Sequence, residues 1–79
     1  MKYEDQVLNV AAELADTFEE HAQYYGGVAY VSKTGWELIS DRYEKVVPEL
    51  RASVMNDFMK ELTKRGVPFD VKNLQEKPE

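Results

Sequence analysis

Residues 13–27, ELADTFEEHAQYYGG, hold four carboxylates, one histidine, two tyrosines and a double glycine, with no lysine or arginine. Apolar side chains recur at spacings of three and four through and before this stretch, as they do on one side of a helix. They are Val7, Val10, Ala11, Leu14, Phe18, Ala22 and Tyr25. Gly26 predicts a helix end, because glycine takes the left-handed conformation without steric cost. We therefore expect a first helix over residues 4–25.

The net charge is concentrated at the start of the chain. The formal charge is −5. Residues 1–30 contain six acidic side chains against Lys2 alone, whereas residues 31–79 hold equal numbers of acids and bases. Asymmetry of this kind indicates a partner of opposite charge.

Length and composition indicate one small globular domain. The chain has 79 residues, of which 43% are hydrophobic and 32% charged. We assign residues 1–72 to a single compact domain and residues 73–79 to a flexible tail. The absence of cysteine excludes a disulfide framework and fits the cytoplasm. Apolar runs are far shorter than the ~20 residues that cross a bilayer, so we expect no membrane contact.

Residues 28–40, VAYVSKTGWELIS, are typical of a β-hairpin. The runs 28–32 and 36–40 are rich in β-prone side chains, and Lys33-Thr34-Gly35 lies between them. A glycine that ends a three-residue loop suits a type I turn followed by a bulge. This hairpin would place Tyr30 and Trp36 on one face of a sheet.

The second half of the chain predicts one more helix and one more strand. Asp41 and Glu44 form a capping-box pattern, so we expect a helix from Asp41 to Arg65 with a bend near Pro48. Gly66 would end it. The alternation of Phe69 and Val71 predicts a short third strand. The expected fold class is α+β in the order α-β-β-α-β. It has a small, mostly antiparallel three-stranded sheet with two helices packed on one face.

Chemistry-bearing residues are sparse. His21 has no carboxylate three or four residues away, so we expect a structural or surface role for it. Zinc prefers sulfur and nitrogen ligands, and one histidine without cysteine supplies too few. Glu13, Asp16 and Glu20 share a helical face and would attract a hard cation only with oxygen ligands from elsewhere. We expect no catalytic, metal-binding or cofactor-binding residue, and so no enzyme.

The acidic side of the first helix is the main candidate for a partner-binding surface. Tyr24 lies beside it and is the best candidate for an exposed aromatic anchor. The expected partner-binding residues are Asp5, Glu13, Asp16, Glu19, Glu20 and Tyr24. In size and charge the chain resembles small phage-encoded modulators of host enzymes and defence systems. The resemblance implies an inhibitor that masks a basic, nucleic-acid-binding protein surface. The competing interpretation is a face that only keeps the protein soluble.

Two further functions stay open at this stage. The first is a single-stranded nucleic-acid-binding module, in which Tyr30 and Trp36 stack on bases with Lys33 and Arg42 nearby. The net negative charge argues against direct binding of nucleic acid. The second is a homo-oligomeric structural module, such as a homodimer, because the apolar arc of the second helix is wide and has Arg51 on it.

Overall fold

The computed structural model describes residues 3–69, which form three helices and a two-stranded antiparallel sheet in the order α-β-β-α-α. The elements are α1 (Tyr3–His21), β1 (Ala22–Tyr25), β2 (Val28–Val31), α2 (Lys33–Glu44) and α3 (Pro48–Lys64). The expected α-β-β-α-β order, with a three-stranded sheet and two helices, is therefore wrong. The tail assigned to residues 73–79 lies outside the described residues.

The first helix ends at His21, four residues earlier than expected. The next residues form β1, which pairs with β2 through a two-residue turn at Gly26 and Gly27. Both glycines have positive φ, +60° and +83°. A type I′ hairpin turn needs positive φ at both central residues. The double glycine thus turns a hairpin instead of capping a helix.

The segment expected as the second hairpin strand is helical. Residues 36–40 lie inside α2, whose N-cap is Ser32. The Ser32 hydroxyl accepts a hydrogen bond from the Gly35 N–H at 3.2 Å, which satisfies one of the unpaired amides of the first helical turn. Trp36 is therefore a helix residue, and the expected turn at residues 33–35 is the start of a helix.

A break between Glu44 and Pro48 replaces the expected bend. Pro48 is in the first turn of α3, where the missing amide of proline costs no hydrogen bond. Val47 precedes it without a side-chain cap. Asp41, expected to start a helix, is inside α2 and pairs with Lys45 at 3.1 Å, one helical turn away. The expected helix from Asp41 to Arg65 is thus two helices.

The end of α3 follows the prediction. Gly66 has a φ of +73°, and its N–H donates to the carbonyl of Thr63. The Val67 N–H donates to the carbonyl of Leu62, which completes a Schellman motif. The helix stop at Gly66 is confirmed. Phe69 forms a single parallel bridge with Ala29, and the rest of the expected third strand, with Val71, lies outside the described residues.

The core forms where α1 packs along both α2 and α3. The rings of Phe18 and Phe58 meet edge to face with 6.0 Å between their centres. The hairpin contributes two buried side chains, Ala29 and Val31, to the same core. The buried hydrophobic residues are Val7, Ala11, Leu14, Ala15, Phe18, Ala29, Val31, Ile39, Val54, Phe58 and Leu62. Because α1 is held on two sides, its outer face is presented on a fixed support.

Candidate protein-interaction surface

The outer side of α1 carries the carboxylates expected to bind a partner. All five of them, Asp5, Glu13, Asp16, Glu19 and Glu20, are exposed. They lie away from the buried stripe of the same helix, since a helix repeats its faces every three to four residues. We call these five residues the acidic face.

Arg65 neutralises part of the acidic face. Its guanidinium donates to Asp16 at 2.7 Å and to Glu19 at 2.9 Å, and also to Glu61 at 3.3 Å. The Arg65 side chain is only 23% exposed. Its pKa is raised above the ordinary value, chiefly by the hydrogen bond to Asp16, with further contributions from Glu19 and Glu61. Asp16 and Glu19 therefore join α1 to α3.

Three carboxylates of the acidic face keep their charge uncompensated by direct pairing. Within residues 3–69, no lysine or arginine lies within ion-pair distance of Asp5, Glu13 or Glu20. Glu20 lies in the last turn of α1, where the helix dipole already places partial negative charge. An acid there is destabilising for the helix and attractive to a cation. The acidic face thus has a surface part, Asp5, Glu13 and Glu20, and a structural part, Asp16 and Glu19.

Two exposed tyrosines adjoin the end of the acidic face. Tyr24 is 59% exposed and Tyr25 is 66% exposed, both in β1 directly after α1. Neighbouring residues of a strand point to opposite faces, so the two rings lie on opposite sides of the hairpin. Tyr24 is accessible, as its sequence position suggested. Tyr25 is a second exposed aromatic residue. The expected helix over residues 4–25 placed it on the apolar stripe, so its exposure was not predicted.

Tyr25 belongs to an aromatic pair on the outer face of the hairpin. Its ring centre lies 4.8 Å from that of Tyr30, and the Tyr30 hydroxyl donates to Oε1 of Gln23 at 2.8 Å. The neighbouring Tyr25 side chain, followed by partial removal from water, raises the pKa of the Tyr30 phenol above its ordinary value. Trp36 is absent from this face because it lies on α2.

The arginines of the second and third helices have structural partners. Arg42 donates to the hydroxyl of Thr17, which itself donates to the Glu13 carbonyl at 3.0 Å. Arg51 donates to the carbonyls of Val46 and Glu44, each at 3.0 Å, and closes the connection between α2 and α3. Arg51, expected on the apolar arc of the second helix, thus holds the connection between α2 and α3 by two hydrogen bonds to its backbone.

His21 and the carboxylates do not form a metal-binding cluster in the described part of the chain. His21 is half-buried, and its Cβ packs against Gly35. Among residues 3–69, no group of three or more His, Cys, Asp or Glu side chains is placed to hold a metal ion. In that part of the chain, no further ligand joins Glu13, Asp16 and Glu20 to form a cation site.

An open groove of about 540 Å³ lies beside the acidic face. Its floor is apolar, and its rim includes Glu13 from α1, Arg42 from α2 and Lys45 from the connection to α3. Both signs of charge therefore occur on one rim. Sequence periodicity gave no signal for this groove, because it depends on the break between α2 and α3.

Comparisons of the chain with protein-family models, with curated proteins and with solved structures found no match. Within residues 3–69, each helix is too short or too polar to cross a bilayer.

Proposed function

We propose that this protein is a non-catalytic binding module that engages a protein partner with a basic surface and modulates or inhibits it. The observation that carries the proposal is the row of exposed carboxylates of α1, Asp5, Glu13 and Glu20, which have no ion-pair partner among residues 3–69, followed along the chain by the exposed ring of Tyr24. Cytoplasmic location and a phage-type origin belong to this proposal.

The dimensions of the acidic face support a basic, nucleic-acid-binding surface as the target. Asp5 and Glu20 are separated by about 22 Å at ~1.5 Å of rise per residue. A groove that binds duplex phosphates presents several lysines and arginines along its length, so carboxylates spread over this distance meet complementary charge there. Packing of α1 against α2 and α3 holds the row in place before binding, which lowers the ordering cost of association.

Tyr24 gives the surface an apolar anchor beside its charge. Carboxylates alone mainly speed encounter and set orientation, whereas a buried aromatic ring slows dissociation. Tyr24 is 59% exposed and follows Glu20 by four residues, so one partner can contact both. The combination of an acidic row and an aromatic ring favours a protein partner over a purely solubilising role.

Two alternatives lose part of their support. The nucleic-acid-binding hypothesis relied on Tyr30 and Trp36 sharing one face of a sheet, and that placement is wrong because Trp36 lies on α2. The homo-oligomer hypothesis relied on a single helix from Asp41 to Arg65 with a wide apolar arc, and that helix is divided. A low-salt filter-binding assay with single-stranded DNA, and a mass measurement across dilution, test the two.

The test of the proposal is a charge-reversal series in a pull-down from host lysate. The test variant is Asp5→Lys, Glu13→Lys and Glu20→Lys combined, which spares the Arg65 ion pairs. The control is Glu37→Lys, Glu44→Lys and Glu49→Lys, which changes the net charge equally at exposed positions of α2 and α3. We expect a specific protein to be captured by the wild type and by the control at low salt, but not by the test variant.

High salt and a competing DNA duplex test whether capture depends on charge and on a nucleic-acid-binding surface of the partner. Capture should weaken at high salt, because exposed charges are screened within about 10 Å at 0.1 M. A DNA duplex should compete with this protein for the captured partner. Equal capture by the test variant and the wild type would show that the acidic face serves solubility only.

A further inference from the structure

The outer edge of β1 is an open strand edge. On the other side of the hairpin, the Ala29 N–H donates outward to the Pro68 carbonyl at 2.8 Å, and Ala29 bridges Phe69. In an antiparallel pair, opposite residues alternate between bonding to each other and pointing their amides outward. Since Ala29 points outward and faces Tyr24, the N–H and carbonyl of Tyr24 also point outward, from the β1 edge. Within residues 3–69 no segment pairs with that edge.

The charge beside this edge selects the kind of strand that would pair with it. β1 follows α1 without a loop, so the edge begins where the negative end of the helix dipole and Glu20 lie. Glu19 is adjacent and shares Arg65 with Asp16. A second copy of this protein would bring the same negative charges together, and an acidic strand would be repelled. A strand carrying lysine or arginine would meet complementary charge.

We propose that the β1 edge binds an extended, basic segment of the partner protein as an added third strand, with its cationic side chains against Glu20 at the end of α1. This inference rests on the proposed function and specifies the form of the partner. Main-chain hydrogen bonds to Tyr24 would set the alignment of the added strand, and its charged side chains would supply specificity. The edge is only four residues long, so charge and the Tyr24 ring must contribute much of the affinity.

The test uses the full chain and an eight-residue peptide of alternating lysine and threonine. The matched probe is the same peptide with N-methyl groups on all of its backbone amides, which keeps the side-chain charge but blocks strand pairing along both edges. We expect the plain peptide to bind at least tenfold more tightly by calorimetry at low salt. In hydrogen-exchange NMR, we expect the Tyr24 amide to become protected when the plain peptide is bound.

Two variants distinguish the contribution of the Tyr24 backbone N–H to binding from that of the Tyr24 ring. Tyr24→Pro removes the outward N–H, and an edge position tolerates proline. Tyr24→Val removes the ring but keeps the N–H. Circular dichroism first checks that both variants fold. We expect Tyr24→Pro to abolish the preference for the plain peptide, whereas Tyr24→Val keeps that preference with weaker binding of both probes.

Several outcomes would overturn strand addition. Equal affinity for the two peptides, or binding of neither, contradicts it, while the charge-reversal series still tests the proposed function on its own. Protection of the Tyr24 amide in the free protein also contradicts it. If that protection rises with protein concentration, a second copy occupies the edge. If it is independent of concentration, the chain's own residues 70–79 occupy it.

Discussion

Gly35 is the residue at which α2 meets both the end of α1 and β2. A Cβ at this position would lie 2.4 Å from Cβ of His21 and 2.7 Å from Cγ1 of Val31, closer than carbon atoms pack. In the sequence this glycine suggests a turn, since Lys33 and Thr34 precede it. Its actual role is to let a helix approach its neighbours, and its conformation is helical. A glycine at this position is compatible with a turn and with a close helix contact, and only the packing of the folded chain distinguishes the two.

The substitution Gly35→Ala should destabilise the protein despite the higher helix propensity of alanine. Overpacking of a fixed contact costs about 1–3 kcal/mol, which exceeds the ~1 kcal/mol gained from helix propensity. We expect a lower urea midpoint with an unchanged slope. The control Thr34→Ala is one residue away at an exposed position, and should change the free energy of unfolding by less than about 0.5 kcal/mol. A Gly35→Ala variant as stable as the wild type would contradict this packing.

At the scale of elements, the signals that predicted correctly were local. The apolar periodicity of residues 7–18 predicted a helix, because apolar side chains spaced every 3.6 residues over several turns are typical of an amphipathic helix. The Gly66 stop was predicted because a Schellman motif depends on a few neighbouring residues. Of the candidate site, the exposure of the carboxylates followed from the same periodicity.

The errors arose where two local signals competed. Tyr25 continued the helical stripe of α1, yet the two strand-like runs around Gly26 and Gly27 are also a strong hairpin signal. Ser32 was assigned to a strand although it caps a helix. A first helix that extends to residue 25 leaves the strand at residues 28–31 without a partner, and the pattern then pairs that strand with residues 36–40, which include Trp36. The ion pairs of Arg65 with Asp16 and Glu19 join residues more than 40 positions apart, so periodicity contained no information about them.

Arg65 joins α1 to α3, and its removal should weaken that contact. The variant Arg65→Gln leaves Asp16, Glu19 and Glu61 close together without their cation. We expect a loss of about 1 kcal/mol in the free energy of unfolding at low salt, measured by urea titration. The loss should shrink in 1 M NaCl, since salt screens the remaining repulsion.

Lys60 provides the comparison for Arg65. It pairs with Asp57 at 3.9 Å through a largely exposed side chain, so Lys60→Gln should have almost no effect. Similar losses for the two variants would show that the Arg65 network is no stronger than an isolated surface pair.

For the whole molecule, the placement of charge opposes stability, and under the proposed function it serves recognition of a partner. Asp16 lies three residues from Glu13 and four from Glu20, spacings at which like charges on a helix repel, and Glu20 also lies at the negative end of the α1 dipole. Arg65 relieves this for Asp16 alone among the three. Solubility requires net charge but does not require that charge to lie where it destabilises a helix. The remaining repulsion is therefore expected of a surface whose charge is neutralised by a partner.

This opposition predicts that removing charge from the surface part of the acidic face stabilises the free protein. The variant Glu13→Gln with Glu20→Gln keeps side-chain size and helix propensity, and removes repulsion of a few tenths of a kcal/mol per pair. We expect the free energy of unfolding to rise by about 0.5 kcal/mol at low salt and the gain to vanish in 1 M NaCl. The control Glu49→Gln should instead lower the free energy of unfolding, because Glu49 lies in the first turn of α3, where the dipole favours an acid.

Under the proposed function, the variant with Glu13→Gln and Glu20→Gln should also bind its partner more weakly. A gain in stability coupled to a loss of binding would identify these charges as functional. A variant that is less stable than the wild type at low salt would mean that these carboxylates have stabilising partners, and the recognition argument would lose its electrostatic basis.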